Sequence, residues 1–299
     1  MSRVATIAQH SIIQNSIFKT QERVYQRQIQ IATGKTAQSF SGIPLNAQRL
    51  IGMEARMQRS EIFVLQNGLI EARLALMDSA LDNMFEVASE LKVRLLQKLN
   101  GATGTAGTIA AEASNMLGTI SGLMNTQTNG RFLFSGSATA TQPVTVPVPN
   151  PTAFGVPDAT YYNGDSTQLT ARASDTVEVT YGIPGNRSGF QNLIGAVKAT
   201  IEGDNTDNET LLKSALVMLN RALKDLPAYR NEVGASLNVV SRATERQEEF
   251  AVYAAGIISD IENTNIPQAI TALSADETAL QASFLTIARL SQLALVNFL

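Results

Sequence analysis

Cysteine and tryptophan are missing from this 299-residue chain, and histidine occurs once, at His10. Without cysteine there is no disulfide framework, no thiolate metal site and no Cys nucleophile. That suits an extracellular protein that must not cross-link during export, although many cytosolic proteins also lack cysteine. One histidine leaves no His pair for a metal and no supported Ser–His–Asp set, so His10 reads as a surface or interface residue and no cofactor is expected. No segment approaches the roughly 18 apolar residues of a membrane span; the longest clean run is Ala251 to Ile258. The first ten residues lack the apolar core of a cleaved signal peptide, so a protein that leaves the cell would need another route.

Charged residues make up 16% and hydrophobic ones 44%, enough for a packed core and too apolar for wholesale disorder. With aromatics at 6%, the apolar content is mostly Ala, Leu, Ile and Val, which suits close helix packing better than a deep ligand pocket. The net charge of −3 gives no basic face for nucleic acid. The charges are unevenly spread. Residues 1–50 carry Arg3, Lys19, Arg23, Arg27, Lys35 and Arg49 against Glu22, whereas residues 247–299 carry Glu248, Glu249, Asp260, Glu262, Asp276 and Glu277 against Arg289. The two ends are electrostatic complements, which favours pairing them within a chain or between chains and guides register more than it drives binding.

From about Ile12 to Asn100 the pattern predicts helix. Ile13, Ile17, Val24 and Ile31 recur at spacings of four and seven; Leu65, Leu69, Ala72, Leu76, Ala80 and Phe85 continue a stripe after a break set by Gly34, Gly42 and Pro44. The second helix of this pair would run about 80 Å. A Gly-rich run at 101–107 predicts an inter-helix loop, and a further helix passes through Met116, Leu117, Ile120, Leu123 and Met124 before Asn129-Gly130 stops it. Arg131 to Gly136 looks extended. Residues 138–189 hold six of the nine prolines, with alternation in Val144-Thr145-Val146 and Val177–Tyr181 and a turn signal at Tyr162–Asp165, which predicts a small inserted β domain. Helix resumes near Asn192. One helix is expected over Glu209–Leu226, ended by Pro227, another from about Tyr229 to Asn263, and a last one from Ile266 with Pro267 in its first turn. In that last helix Ile266, Ile270, Leu273, Leu280, Phe284 and Ile287 follow a four–three spacing, with Glu277 the polar exception. Leu290, Leu293, Val296, Phe298 and Leu299 make the terminus apolar, which calls for burial either on its own domain or on a partner.

Local motifs that suggest chemistry fail on spacing. Gly34-Lys35-Thr36 resembles the end of a phosphate loop, but Ile29 stands where the first Gly is needed and helix precedes it. Gly101, Gly104 and Gly107 have the wrong spacing for a dinucleotide fingerprint. The acidic pairs Glu248-Glu249 and Asp276-Glu277 sit on helices, where adjacent side chains diverge by about 100°, so they read as solvated faces rather than a shared site. No catalytic residue is identified, and the chain is expected not to be an enzyme.

Gln28-Ile29-Gln30-Ile31-Ala32-Thr33-Gly34-Lys35 resembles the end of the N-terminal helix of flagellin-family axial proteins. Thr278-Ala279-Leu280-Gln281-Ala282-Ser283-Phe284 followed by Ile287-Ala288-Arg289-Leu290-Ser291 resembles the family's C-terminal helix. Gly130-Arg131-Phe132-Leu133-Phe134-Ser135-Gly136 is similar to a stretch typical of the junction-type members, as is the finish Leu293 to Leu299. Ser41-Gly42-Ile43-Pro44 departs from the Asp-containing pair common in the family, and Pro267 from its continued helix. The resemblance implies a mainly α fold with an inserted small β domain, in which the two terminal segments form a long antiparallel helical bundle or coiled coil. It divides the chain into 1–40 with 265–299 as a terminal coiled-coil polymerisation part, 41–137 with 190–264 as a helical rod, and 138–189 as the β insertion. It places Ile13, Ile17, Val24, Ile31, Ile266, Ile270, Leu273, Leu280, Phe284, Ile287, Leu290 and Leu293 at an assembly interface. It further implies a structural, extracellular adaptor between hook and filament, exported by the flagellar type III apparatus with a chaperone and without signal cleavage. Its partners would be copies of itself in a ring or tube, an adjacent hook-associated protein and flagellin, with no nucleic acid and no membrane. The tails are expected to be poorly ordered in the free molecule and to fold on assembly. A flagellin-like filament subunit is the alternative, and a cytoplasmic helical scaffold a remoter one.

Overall fold

The computed structural model describes residues 2–101, 109–148, 150–151 and 153–296, with side chains described from residue 11 to residue 289 within those ranges. Six helices and two small sheets follow one another in these residues: α1 (Ser2–Thr33), α2 (Ala47–Leu99), α3 (Ile109–Met124), β1 (Gln127–Thr128), β2 (Arg131–Phe132), β3 (Leu169–Arg172), β4 (Glu178–Tyr181), α4 (Ser188–Asn205), α5 (Glu209–Glu262) and α6 (Ile266–Val296). The chain separates into two compact units, Met1–Arg59 with Phe250–Leu299 and Ser60–Glu249. Both α2 and α5 contribute residues to each unit.

In the second unit α2 turns Ile70, Leu74, Met77, Leu81, Met84, Ala88, Leu91 and Leu95 into the core, an unbroken four–three register. That register lies one position along from the stripe predicted on this helix: Leu65, Leu69, Ala72 and Leu76 are exposed, Ala80 is buried and Phe85 half-buried. α5 answers with Leu212, Ala215, Leu219, Ala222, Leu226, Tyr229 and Val233. The expected break at Pro227 does not occur, and α5 is one helix of 54 residues with Pro227 inside it. Proline forfeits a backbone hydrogen bond there, but Leu226 and Tyr229 on either side are fixed in the core, and packing overrides the local preference.

α4 is buried on nearly all sides through Leu193, Ile194, Ala196, Val197 and Ala199, and it packs along α3. Its last turn holds Asp204, whose carboxylate accepts from Lys98 Nζ at 2.8 Å and from the Ala110 amide at 2.9 Å. One side chain thereby ties α2, the start of α3 and the end of α4. The Lys98–Asp204 pair holds the Lys98 ammonium above its ordinary pKa, chiefly through that hydrogen bond.

Residues 138–189 contain less regular β structure than the alternation suggests. β3 and β4 pair antiparallel, and Val144 makes an isolated bridge to Tyr162. Prolines deny this stretch the amides a ladder needs, and side chains hold it instead. Asn125 bonds the Val144 backbone in both directions at 2.9 Å. Tyr161 donates to the Gly185 carbonyl at 2.6 Å, and burial pushes its phenol well above the ordinary pKa. Lys198, on α4, meets Asp158 at 2.5 Å with both side chains almost fully enclosed. Burial raises the Asp158 carboxyl, but the Lys198 ammonium and the Thr160 hydroxyl and amide outweigh it and hold the carboxyl below its usual range.

Candidate assembly interface

In the first unit α1 packs along α6. Lys35 and Asn263 form an antiparallel bridge where the two helices meet their neighbours, and Arg23 lies opposite Asp276, so the helices run antiparallel. α1 ends because Gly34 adopts φ +71, which lets its amide bond back to Gln30 at 2.8 Å. The chain is then stitched to the end of α5 and the link into α6 by Thr36 N to Glu262 O at 2.6 Å and Thr264 N to Gly34 O at 2.8 Å. The predicted complementarity of the two ends takes a concrete form. Arg23 Nε lies 3.0 Å from Asp276 and Lys35 Nζ 3.0 Å from Glu262. Asp276 is therefore a partner of α1 and not a free solvated acid, whereas Glu248 and Glu249 are exposed.

The seam on α1 is Ile13, Ile17, Thr20, Val24, Arg27 and Ile31; Ile17 and Thr20 are buried and the other four half-buried. The seam on α6 is Ala269, Leu273, Asp276, Leu280, Ser283 and Ile287. Of the apolar positions read from the sequence, Ile13, Ile17, Val24, Ile31, Leu273, Leu280 and Ile287 thus face inward. Ile266, Ile270 and Phe284 lie on another face of α6 and are exposed, alongside Leu285. Ile12, Phe18 and Tyr25 are likewise exposed on α1. Leu290 and Leu293 continue α6, and their side chains lie outside the described residues. Sequence reasoning merged two faces of α6 because Leu273, Leu280 and Ile287 belong to both four–three series, and it passed over the small or polar members of the true seam, Ala269, Asp276 and Ser283.

The segment 130–136 lies in the second unit and is a packed structural joint. Asn129 and Gly130 take φ +49 and +72 and turn β1 into β2. Arg131 is exposed and Phe132 half-buried; Leu133, Phe134, Ser135 and Gly136 are buried. Arg73 of α2 donates to the Phe132 carbonyl at 2.8 Å, and burial lowers its guanidinium pKa. The Phe134 ring meets Phe190 edge-on at 5.7 Å, and Phe190 in turn stacks at 5.4 Å on Tyr229. Gly136 has φ +70, and a Cβ there would fall 2.3 Å from Asp165 O. Asp165 accepts from Ser137 N, Ser137 Oγ and Thr167 N, which holds its carboxyl below the usual range.

Among the described residues no cluster of three or more His, Asp or Glu side chains could hold a metal. None of the helices, over their described residues, is long and apolar enough to cross a membrane. The Gly-rich run after Gly101 and the His10 side chain lie outside the described residues.

Residues 4–139 match the bacterial flagellin N-terminal helical region. No curated protein sequence gives a significant match. Among solved structures, FlgL of Bacillus cereus superposes with a TM-score of 0.57 at 18% identity over 71% of this chain and 99% of that one. A putative flagellar hook-associated protein from Vibrio parahaemolyticus gives 0.56 at 15% identity over 74% and 100%. The flagellar junction protein FlgL of Legionella pneumophila gives 0.51 at 14% identity over 71% and 99%. Residues 4–139 are therefore similar to the bacterial flagellin N-terminal helical region, and the chain shares its fold with these solved flagellar proteins.

Proposed function

We propose that this chain is a structural component of the bacterial flagellum, a hook-associated protein that joins hook to filament as an adaptor ring and catalyses no reaction. The observation that carries the reading is the double face of the terminal pair. One stripe on α1 and α6 is spent inside the chain, while Ile12, Phe18, Tyr25, Ile266, Ile270 and Phe284 remain exposed. A soluble monomer has no use for such surface, and copies packed side by side bury it. Lys19 is exposed near Phe18, and Glu277 is exposed on α6 between Ile270 and Phe284. The outer face of α1 in one copy can cover the apolar outer face of α6 in the next, a head-to-tail contact that closes rings or extends tubes. Residues 1–40 with 265–299 form the polymerisation part in this reading, 41–137 with 190–264 the rod, and 138–189 the insertion. The neighbours are an adjacent hook-associated protein on one side and flagellin on the other. The extracellular location implies export by the flagellar type III apparatus with a chaperone and without a cleaved signal.

Two substitutions separate the inner stripe from the outer one. Leu280→Asp strikes the seam and should loosen α1 from α6 as well as abolish motility. Phe284→Asp strikes the outer stripe and should leave helix content and α1–α6 pairing unchanged while still preventing filament attachment. Burying each such side chain is worth about 1.5–3 kcal/mol, multiplied around a ring. Full motility with Phe284→Asp would remove the basis of the proposal.

A further inference from the structure

We propose that Asn100 is the site at which this chain spontaneously deamidates, and that the fold shields the same dipeptide at three other places. Asn–Gly occurs four times, at Asn67, Asn100, Asn129 and Asn163. Glycine after asparagine leaves the following backbone nitrogen uncrowded, and that nitrogen can attack the side-chain amide. The new bond joins the glycine N to the asparagine Cγ. The Cγ–Nδ2 bond breaks, the glycine amide proton leaves with Nδ2 as ammonia, and a five-membered succinimide remains. Water then opens either carbonyl of that ring, giving aspartate or isoaspartate. By sequence alone the four pairs are equivalent.

The structure separates them by what ring closure demands: a free side chain, a glycine nitrogen without a strong hydrogen bond, and a backbone that brings the two to the same side. Asn67 is fully buried within α2, its Nδ2 donates to the Ala173 carbonyl at 3.0 Å, and Gly68 lies inside the helical ladder. The Asn163 Nδ2 donates to Thr145 Oγ1 at 2.7 Å, and Gly164 is hemmed in, since a Cβ there would stand 2.4 Å from the Tyr162 hydroxyl. Asn129 is exposed, but its φ of +49 is left-handed; ψ is then about +47°, and the next nitrogen points away from the side chain. Asn100 has none of these protections. It is exposed just beyond the end of α2 and has no left-handed φ. Among the described residues nothing bonds its side chain. Gly101 caps the helix with φ +66, and its amide reaches the Lys98 carbonyl at 3.2 Å, a long bond at a helix end, where opening costs least. No heavy atom lies within 4 Å of where a Cβ on Gly101 would stand, so the ring has room to form.

The product matters because of its place. A carboxylate at position 100 sits at the negative end of the α2 dipole and is repelled by it. Isoaspartate also reroutes the main chain through Cβ, which takes the Gly101 amide out of register with Lys98. Lys98 holds Asp204, the side chain that ties α2 to α3 and α4, so deamidation loosens that joint as the molecule ages. None of this rests on the flagellar reading.

Incubating the full-length protein in mildly alkaline buffer, then digesting it with a glutamyl endopeptidase for mass spectrometry, reads each site. Cleavage at Glu112 places Asn100 and Asn129 on different peptides. Asn100 should convert at least about tenfold faster than Asn67, Asn129 or Asn163, a ratio equal to ~1.4 kcal/mol of barrier, with isoaspartate among the products. In urea all four should approach one rate, because the shielding is the work of the fold. Asn100→Asp should speed amide hydrogen exchange in the last turn of α2. Conversion at Asn129 or Asn163 as fast as at Asn100 in the folded protein would overturn the proposal, as would an Asn100 that stays intact while the urea-unfolded chain converts.

Discussion

Gly136 and Gly130 share a left-handed backbone but differ in surroundings. A Cβ on Gly136 would enter Asp165, whereas one on Gly130 would meet nothing within 4 Å. Gly130→Ala should cost about 1 kcal/mol, the conformational term alone, and Gly136→Ala at least about 2–3 kcal/mol because the Asp165 clamp must also give way. Urea denaturation of both variants separates the two contributions; equal costs would refute the clamp. Lys198 and Asp158 offer a second residue-scale test. The carboxyl is held below its unfolded value, so the stability it contributes is present above about pH 4 and is lost as pH falls through the lower folded pKa. Lys198→Met should cost about 3–5 kcal/mol at pH 7 by leaving a buried carboxylate without its cation, and the cost should shrink toward pH 3 as Asp158 takes up a proton. A cost independent of pH would place the effect in packing. Neither the Asp165 clamp on Gly136 nor the Lys198–Asp158 pair was legible in the sequence. Asp158 and Lys198 are 40 positions apart, and nothing local marks a buried pair, whereas Asn129-Gly130 announced its turn by composition.

At the scale of elements, helix presence and type followed from periodicity, and helix faces did not. Both α2 and α6 carry two apolar series about one residue out of register, and a reading that follows large side chains selects a mixture of the two. The inner series of α6 depends on Ala269, Asp276 and Ser283, residues that only acquire meaning once α1 lies against them. Those polar members weaken the pair. Arg23 bridges Thr20 and Asp276 at 3.1 and 3.0 Å, but its side chain is half exposed, and such a link contributes about 0–1 kcal/mol. Asp276→Leu should therefore tighten α1 on α6, seen as slower amide hydrogen exchange in both helices; faster exchange would mean that the ion pair dominates the seam. Pro227 misled for a related reason: its local cost is real, and the core contacts of Leu226 and Tyr229 exceed it.

At the scale of the molecule, both the helical ends and the small inserted β part were legible in the sequence; what alternation did not show is how little of the insertion is regular ladder, because its prolines leave few donors. The two compact units differ in how they are held. The second has a continuous core through α2, α3, α4 and α5, and the first relies on a seam interrupted by Thr20, Arg27, Asp276 and Ser283. Trypsin should consequently remove the ends of the free protein first and leave a resistant fragment close to Ser60–Arg246, since Arg59 and Arg246 are the cleavage points nearest the unit's limits. Mass spectrometry of the digest checks this, and early cuts inside α4 would contradict it. The central claim is that the exposed faces of the terminal helices exist to be covered in a flagellar assembly at the hook–filament boundary. Immunogold labelling of isolated hook–basal bodies tests it most directly. The account predicts one narrow band at the distal end of the hook; label distributed along the filament, or none on the organelle, would contradict it.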